Sequence, residues 1–209
     1  MAVTGYILAC LGGCAPTPTI GVDRFPTVPN SDSIGSSSTA TTINMLSRSE
    51  LADEPDSRIL QAAMLFISTG DVAQSSAVLA LVNPDNLTDD LFVKYSLLAA
   101  ELNIKLEQWP EALDWFQQVR FQDLSMTLAR PVLQRSLSLQ SAAHYGLGNV
   151  ELGLILTMDL AQLATKKAER LRIHNTIWRK LNQQPYSFLQ GSTNHENGIF
   201  AGWLSLAAL

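Results

Sequence analysis

The sequence predicts an all-α fold made of paired helices, and three observations carry that prediction. Apolar residues recur in steps of three and four over long stretches, and no alternation of period two persists anywhere. One arrangement, an apolar helix, a short polar turn and a second helix, comes back three times. Of the 209 residues, 46% are hydrophobic and only 16% charged, so most of the chain carries enough apolar surface to pack. No long unbroken apolar run reads as a membrane-spanning helix. The formal net charge of −5 argues against general nucleic-acid binding, which needs many Lys and Arg to replace counterions along phosphates.

At the amino terminus, AVTGYILACLGG is apolar and small, and runs straight into Cys14 and then Ala-Pro-Thr-Pro-Thr. It is too short to span a bilayer and fits the end of a secretory signal. Leu11-Gly12-Gly13-Cys14 resembles a lipobox, at which bacterial lipoproteins are acylated on the cysteine and cut before it. The resemblance implies a signal peptide over 1–13 and a lipid anchor on Cys14. Each buried methylene contributes about 0.8 kcal/mol, so two or three acyl chains hold permanently. No Lys or Arg precedes the apolar run, a departure from signal peptides. Ile7-Leu8-Ala9-Cys10 also fits loosely but leaves almost no apolar segment ahead of it. Ala15, where an Asp would retain sorted lipoproteins in the inner membrane, implies the outer membrane and a periplasm-facing chain. Residues 14–48 are dominated by Pro, Ser, Thr and Gly without helical or strand period, and read as a flexible linker. Its reach is about 30 Å. Both cysteines lie in the first fourteen residues, so the remainder offers no disulfide and no thiolate metal site.

The helical domain is expected over 49–209. Ile59, Ala62, Ala63, Phe66 and Ile67 share one helical face, as do Leu91, Tyr95, Leu98, Ala99, Leu102 and Leu106. The spacing returns at Leu133 and Leu137, and again at Leu152, Ile155, Leu156, Leu160 and Leu163. Aligning FISTGDVAQSSAVLALV, NIKLEQWPEALDWFQQV and HYGLGNVELGLILTMDL puts Gly70, Glu107 and Gly148 at the turns. Val72, Trp109 and Val150 then open the second helices, and Pro110 sits where a missing N–H costs nothing. Ser75, Ala112 and Gly153 let the helices approach, and Val82, Val119 and Leu160 close each unit. These units resemble the tetratricopeptide repeat of about 34 residues, best in WPEALDWF. Turn-to-turn spacings of 37 and 41 are longer than the repeat, and a non-repetitive helical bundle is the alternative. A further amphipathic helix is expected over 165–182, with Leu171, Ile177, Trp178 and Leu181. The apolar finish, IFAGWLSLAAL, predicts a partner in the preceding helices or in further sequence, as in the front part of a longer protein.

Asn175-Thr176-Ile177-Trp178-x-x-Leu181, followed after about twenty residues by Gly202-Trp203-Leu204-x-Leu206, resembles the close of the amino-terminal domain in lipoprotein activators of penicillin-binding proteins. That resemblance implies a tetratricopeptide-like domain in an outer-membrane lipoprotein. Such a protein docks on a bifunctional, class A penicillin-binding protein and stimulates peptide crosslinking. The family's second domain, similar to periplasmic ligand-binding proteins, is not in this sequence, so the resemblance gives this chain the anchor, the spacer and a secondary contact. A scaffold lipoprotein assembling another envelope complex is the alternative, with peptidoglycan a further candidate partner.

No catalytic constellation, metal set or cofactor motif stands out. His144, His174 and His195 lie in different segments without acidic or Cys partners at ligand spacing, and no HExxH, Gly-rich phosphate loop or Gly-x-Ser-x-Gly occurs. The chain is expected not to be an enzyme. Trp109, Trp115, Trp178 and Trp203 read as core. In a solenoid register the first helices face a groove, and the tetratricopeptide resemblance implies Lys94, Leu97, Glu101, Arg135, Ser138 and Tyr145 as candidate partner contacts there. Lys166, Lys167, Arg170, Arg172, Arg179 and Lys180 form a basic cluster, read either as a solvated face or as a contact for anionic wall polymer or an acidic partner.

Overall fold

A computed structural model describes residues 55–191 and 198–207, all within one unit, Ser37–Leu209. The expected signal peptide, Cys14, the linker over 14–48, the domain start at 49 and His195 lie outside the described residues. Every regular element among those described is helical. In chain order these are α1 (Asp56–Thr69), α2 (Val72–Leu79), a 3₁₀ turn (Pro84–Asn86), α3 (Asp89–Lys105), α4 (Trp109–Gln117) and α5 (Val119–Ser125). They continue with α6 (Arg130–Gly146), α7 (Val150–Leu163), α8 (Lys167–Asn182), α9 (Tyr186–Gly191) and α10 (Gly198–Ala207).

Three turns organise this order. Gly70, Glu107 and Gly148 sit in left-handed backbone at φ 84°, 59° and 76°. The hydrogen bonds repeat with them. Gly70, Glu107 and Gly148 donate to the carbonyls of Ile67, Ile104 and Tyr145 at 3.2, 3.1 and 3.1 Å. The next residues, Asp71, Gln108 and Asn149, donate to Phe66, Asn103 and His144 at 2.8, 2.8 and 2.9 Å. Each is a Schellman cap, which satisfies the orphan carbonyls of the first helix and reverses the chain. The second helix then starts at the aligned residue, Val72, Trp109 or Val150.

Small residues set how closely each pair packs. Seven positions before the turns stand Ala63, Ala100 and Ser141, and five positions after stand Ser75, Ala112 and Gly153; all six are buried. In the first pair the Ser75 hydroxyl donates to the Ala63 carbonyl at 3.3 Å, and in the third Ser141 donates to the Gly153 carbonyl at 2.9 Å. A hydroxyl buried at such a seam is tolerated because the partner backbone accepts from it. The pairs α1–α2, α3–α4 and α6–α7 stack, with α1 against α3, and α3 and α4 against α6. The result is a tetratricopeptide-like solenoid. Its excess length has two sources: the 3₁₀ turn adds three residues between the first and second turns, and α5 adds seven between the second and third.

Two apolar cores run through it. The larger, from Ile59 to Ala143, joins α1 to α6 and includes Ile67, Phe92, Leu98, Phe116 and Phe121. The smaller joins α7 to α8, α9 and α10 through Leu154, Met158, Ile177, Leu181, Leu189, Phe200 and Leu204. Several positions expected inside are outside. Val119 opens α5 instead of closing α4 and is 73% exposed, because Gln118 is extended and breaks the helix. Leu106, just before the second turn, and Leu152, in the first turn of α7, are exposed. On α8 the buried stripe is Ile173, Ile177 and Leu181, so Leu171 and Trp178, seven residues apart, lie together on the outer face.

Candidate functional site

The expected groove residues come from α3 and α6. Lys94 and Glu101, two turns apart, fall on one face of α3; Lys94 is exposed and Glu101 half-buried. Arg135 of α6 reaches across to Glu101, Nη2 to Oε2, at 2.6 Å. This pair ties the second repeat to the third. Both side chains keep solvent access, so the bridge contributes no more than about 1 kcal/mol. Leu97 is in the core and Ser138 is half-buried. Lys94, Glu101 and Arg135 thus form a mixed-charge strip along α3 and α6.

Tyr145 lies elsewhere. Its ring fills the space over Gly153, leaving no room there for a Cβ, and Lys180 of α8 sits 4.9 Å above the ring centroid. Its hydroxyl meets Thr157 at 3.2 Å, and Thr157 in turn meets Ser141 at 2.8 Å and the Gly153 carbonyl at 2.7 Å. Burial pushes the phenol above its ordinary range, and the hydrogen bonds to Thr157 and Ser141 oppose that shift. The structure places Tyr145 as a packing residue between α6, α7 and α8. Ile67 and Ile104 hold the same place, three residues before their turns, and alignment could have shown it.

The basic cluster is not one face. The Arg170 guanidinium donates to the Ala164 carbonyl at 2.9 Å and closes the turn into α8, and Lys180 is half-buried over Tyr145. Lys166 and Lys167 are exposed at the helix start, and Arg172 and Arg179 are exposed on the side opposite Ile173 and Ile177. Beside Arg172 and Arg179 lies a feature the sequence spacing concealed. Trp178 is 38% exposed, with its ring centroid 6.4 Å from that of Trp203 on α10, and His174 stands edge-on to Trp203 at 5.5 Å. Trp178 is therefore not a core residue. Trp109 and Trp115 are half-buried, Trp109 on Gly146 and Trp115 edge-on to Tyr95 at 5.2 Å. Among the described residues no cluster of His, Cys, Asp and Glu could hold a metal, and no helix is long and apolar enough to cross a membrane.

Comparison with known proteins agrees with this architecture. Residues 33–209 match the LppC lipoprotein family. Two solved structures from Haemophilus influenzae share the fold. Full-length LpoA superposes with a TM-score of 0.64 at 16% identity over 84% of this chain. The LpoA N-terminal domain superposes with a TM-score of 0.60 at 17% identity, again over 84% of this chain and over 75% of its own. The chain spans about a third, 31%, of the full-length protein. No curated protein matches it.

Proposed function

The chain belongs to the LppC lipoprotein family, and from that premise we propose that it is the helical amino-terminal part of an outer-membrane lipoprotein that activates a bifunctional, class A penicillin-binding protein. The reading is carried by one agreement. The stretch that resembles the activators in sequence, Asn175 to Leu206, falls inside a chain that matches the family through 33–209 and folds like the LpoA N-terminal domain. In this reading the chain regulates peptidoglycan synthesis by contact and catalyses nothing. Residues 1–13 direct export, Cys14 carries the lipid, 14–48 give reach, and the domain over 49–209 presents the binding surface in the periplasm. Lys94, Glu101 and Arg135 are its contact strip, because charged side chains there keep access to a partner while their helices are fixed by the core.

Two measurements test it. A tagged chain expressed with its leader and purified from envelope extract should bring down a class A penicillin-binding protein, and adding it to that purified enzyme should raise crosslinking. Recovery of a different envelope complex, with no effect on crosslinking, would instead make the protein a scaffold. Cys14→Ser should abolish labelling by palmitate and move the chain from the membrane fraction to the soluble periplasm. Continued membrane attachment would remove the anchor from the proposal.

A further inference from the structure

The outer face of α8 combines features that core packing does not use. Trp178 and Leu171, 38% and 58% exposed, lie seven residues apart on it, about 10.5 Å along the helix axis. Trp178 is held by Trp203, and Trp203 by His174, so the exposed indole is fixed in place before any ligand arrives. Its exposed neighbours on the same face are Arg172, Asn175, Arg179 and Asn182. Positive charge is concentrated in this part of the chain as well. Residues 170–209 hold four basic groups and one acid, a net of +3 in a chain of −5, so the other 169 residues sum to −8. An anionic ligand is repelled by the body of the molecule and drawn to this end.

We propose that the outer face of α8, with Trp203 of α10 beneath it, binds an anionic glycan strand of the cell-wall type. The C–H face of a sugar ring stacks on the negative face of the Trp178 indole. Leu171 meets the ring one disaccharide further along, Asn175 and Asn182 bond hydroxyl and acetamido groups, and Arg172 pairs with a sugar carboxylate. The surface is an open ridge. Two apolar contacts about 10.5 Å apart, flanked by amide and guanidinium side chains, suit an extended polymer that carries ring faces, hydroxyl and amide groups and carboxylates. Only the choice of wall glycan as the source rests on the envelope reading above.

The test uses the full chain and peptide-free glycan strands released from peptidoglycan, with no penicillin-binding protein present, so its failure is separate from failure of activation. The wild-type chain should bind with quenching of indole fluorescence, and binding should weaken as salt rises. Trp178→Ala and Arg172→Glu should each weaken it about tenfold. Arg172 is exposed, so Arg172→Glu at unchanged melting temperature decides the matter if Trp178→Ala fails to fold. Unchanged binding by the folded variants would overturn the proposal. So would equal competition by polyglutamate, which would mark an acidic-protein site, or loss of self-association in the variants with no glycan binding by the wild type, which would mark a contact between copies.

Discussion

Glu107 shows how far one residue can depart from its repeat without breaking it. It occupies the left-handed position that Gly70 and Gly148 fill in the other two turns, and it makes the same cap hydrogen bonds. A side chain there strains against the following carbonyl, at a cost on the order of 1 kcal/mol. Glu107→Gly should therefore stabilise the chain by about 1 kcal/mol, less the entropy glycine loses on folding, and raise the melting temperature by a few degrees. A fall would mean that the carboxylate makes a compensating contact. His144, whose carbonyl closes the third turn, has a buried Nδ1 that meets no hydrogen-bond partner among the described residues. Burial holds its pKa below 6.5, so the fold favours the neutral ring. The sign follows: the stability is intact above 6.5 and is lost as pH falls from there through the folded-state pKa. Melting temperature should drop between pH 7 and pH 5, and His144→Gln should flatten that slope. At this scale the sequence was legible where a residue's place follows from backbone demands. It was not legible for Trp178, since the same indole serves a core or a surface, and only the rotation of α8 decides.

The two insertions that stretch the repeats are tied to each other. Arg120, in α5, donates to the carbonyls of Pro84 and Leu87 around the 3₁₀ turn at 3.3 and 2.6 Å, and pairs with Asp89 at 2.9 Å. Its guanidinium also stacks 4.4 Å above the Phe92 ring. One planar, multiply donating group holds the end of the first repeat and the start of α3 against the extra helix of the second. Lysine has neither the fork nor the plane to do this. Arg120→Lys should lower stability by about 1–2 kcal/mol, measured by chemical denaturation, and Arg120→Met should be no better. An unchanged midpoint for Arg120→Lys would show that the turn holds itself. The hairpins were legible because a glycine or polar turn, an opening residue and a small residue recur at fixed offsets. The matching small residues Ala63, Ala100 and Ser141 follow from carrying that alignment backward. Helix α5 was not legible. Val119 continues the apolar period of α4, and the break at Gln118 has no glycine or proline to announce it. On α8, Leu171, Ile177, Trp178 and Leu181 share an arc of about 120°, of which the core takes only the side of Ile177 and Leu181. The spacing alone could not say which pair turns inward.

Among the described residues the packing divides along α6 and α7. On one side the core runs from Ile59 to Ala143, on the other a smaller core gathers α8, α9 and α10 onto α7. The seam between them includes small and hydroxylated groups, Ser141, Gly153, Thr157 and Tyr145, joined by hydrogen bonds and close contact. A stack in which each repeat touches only its neighbours has a stability close to a sum of local terms. The smaller core should then open independently of the larger. Phe200 is fully buried in the first described turn of α10, and Phe200→Ala removes about 3–5 kcal/mol of packing from that core. Hydrogen exchange should accelerate through α8 and α10 and stay near wild-type rates in α1, α3 and α4. Phe92→Ala, in the larger core, should accelerate exchange from α1 to α6. If Phe200→Ala instead raised exchange evenly across the whole chain, the two cores would be a single cooperative unit. The ridge on α8 would then share the rigidity of the inner helices, and ligand binding at either surface would stabilise the other. If exchange separates as expected, a ligand on α8 steadies the end of the solenoid alone, and the contact strip on α3 and α6 works whether or not that end is occupied.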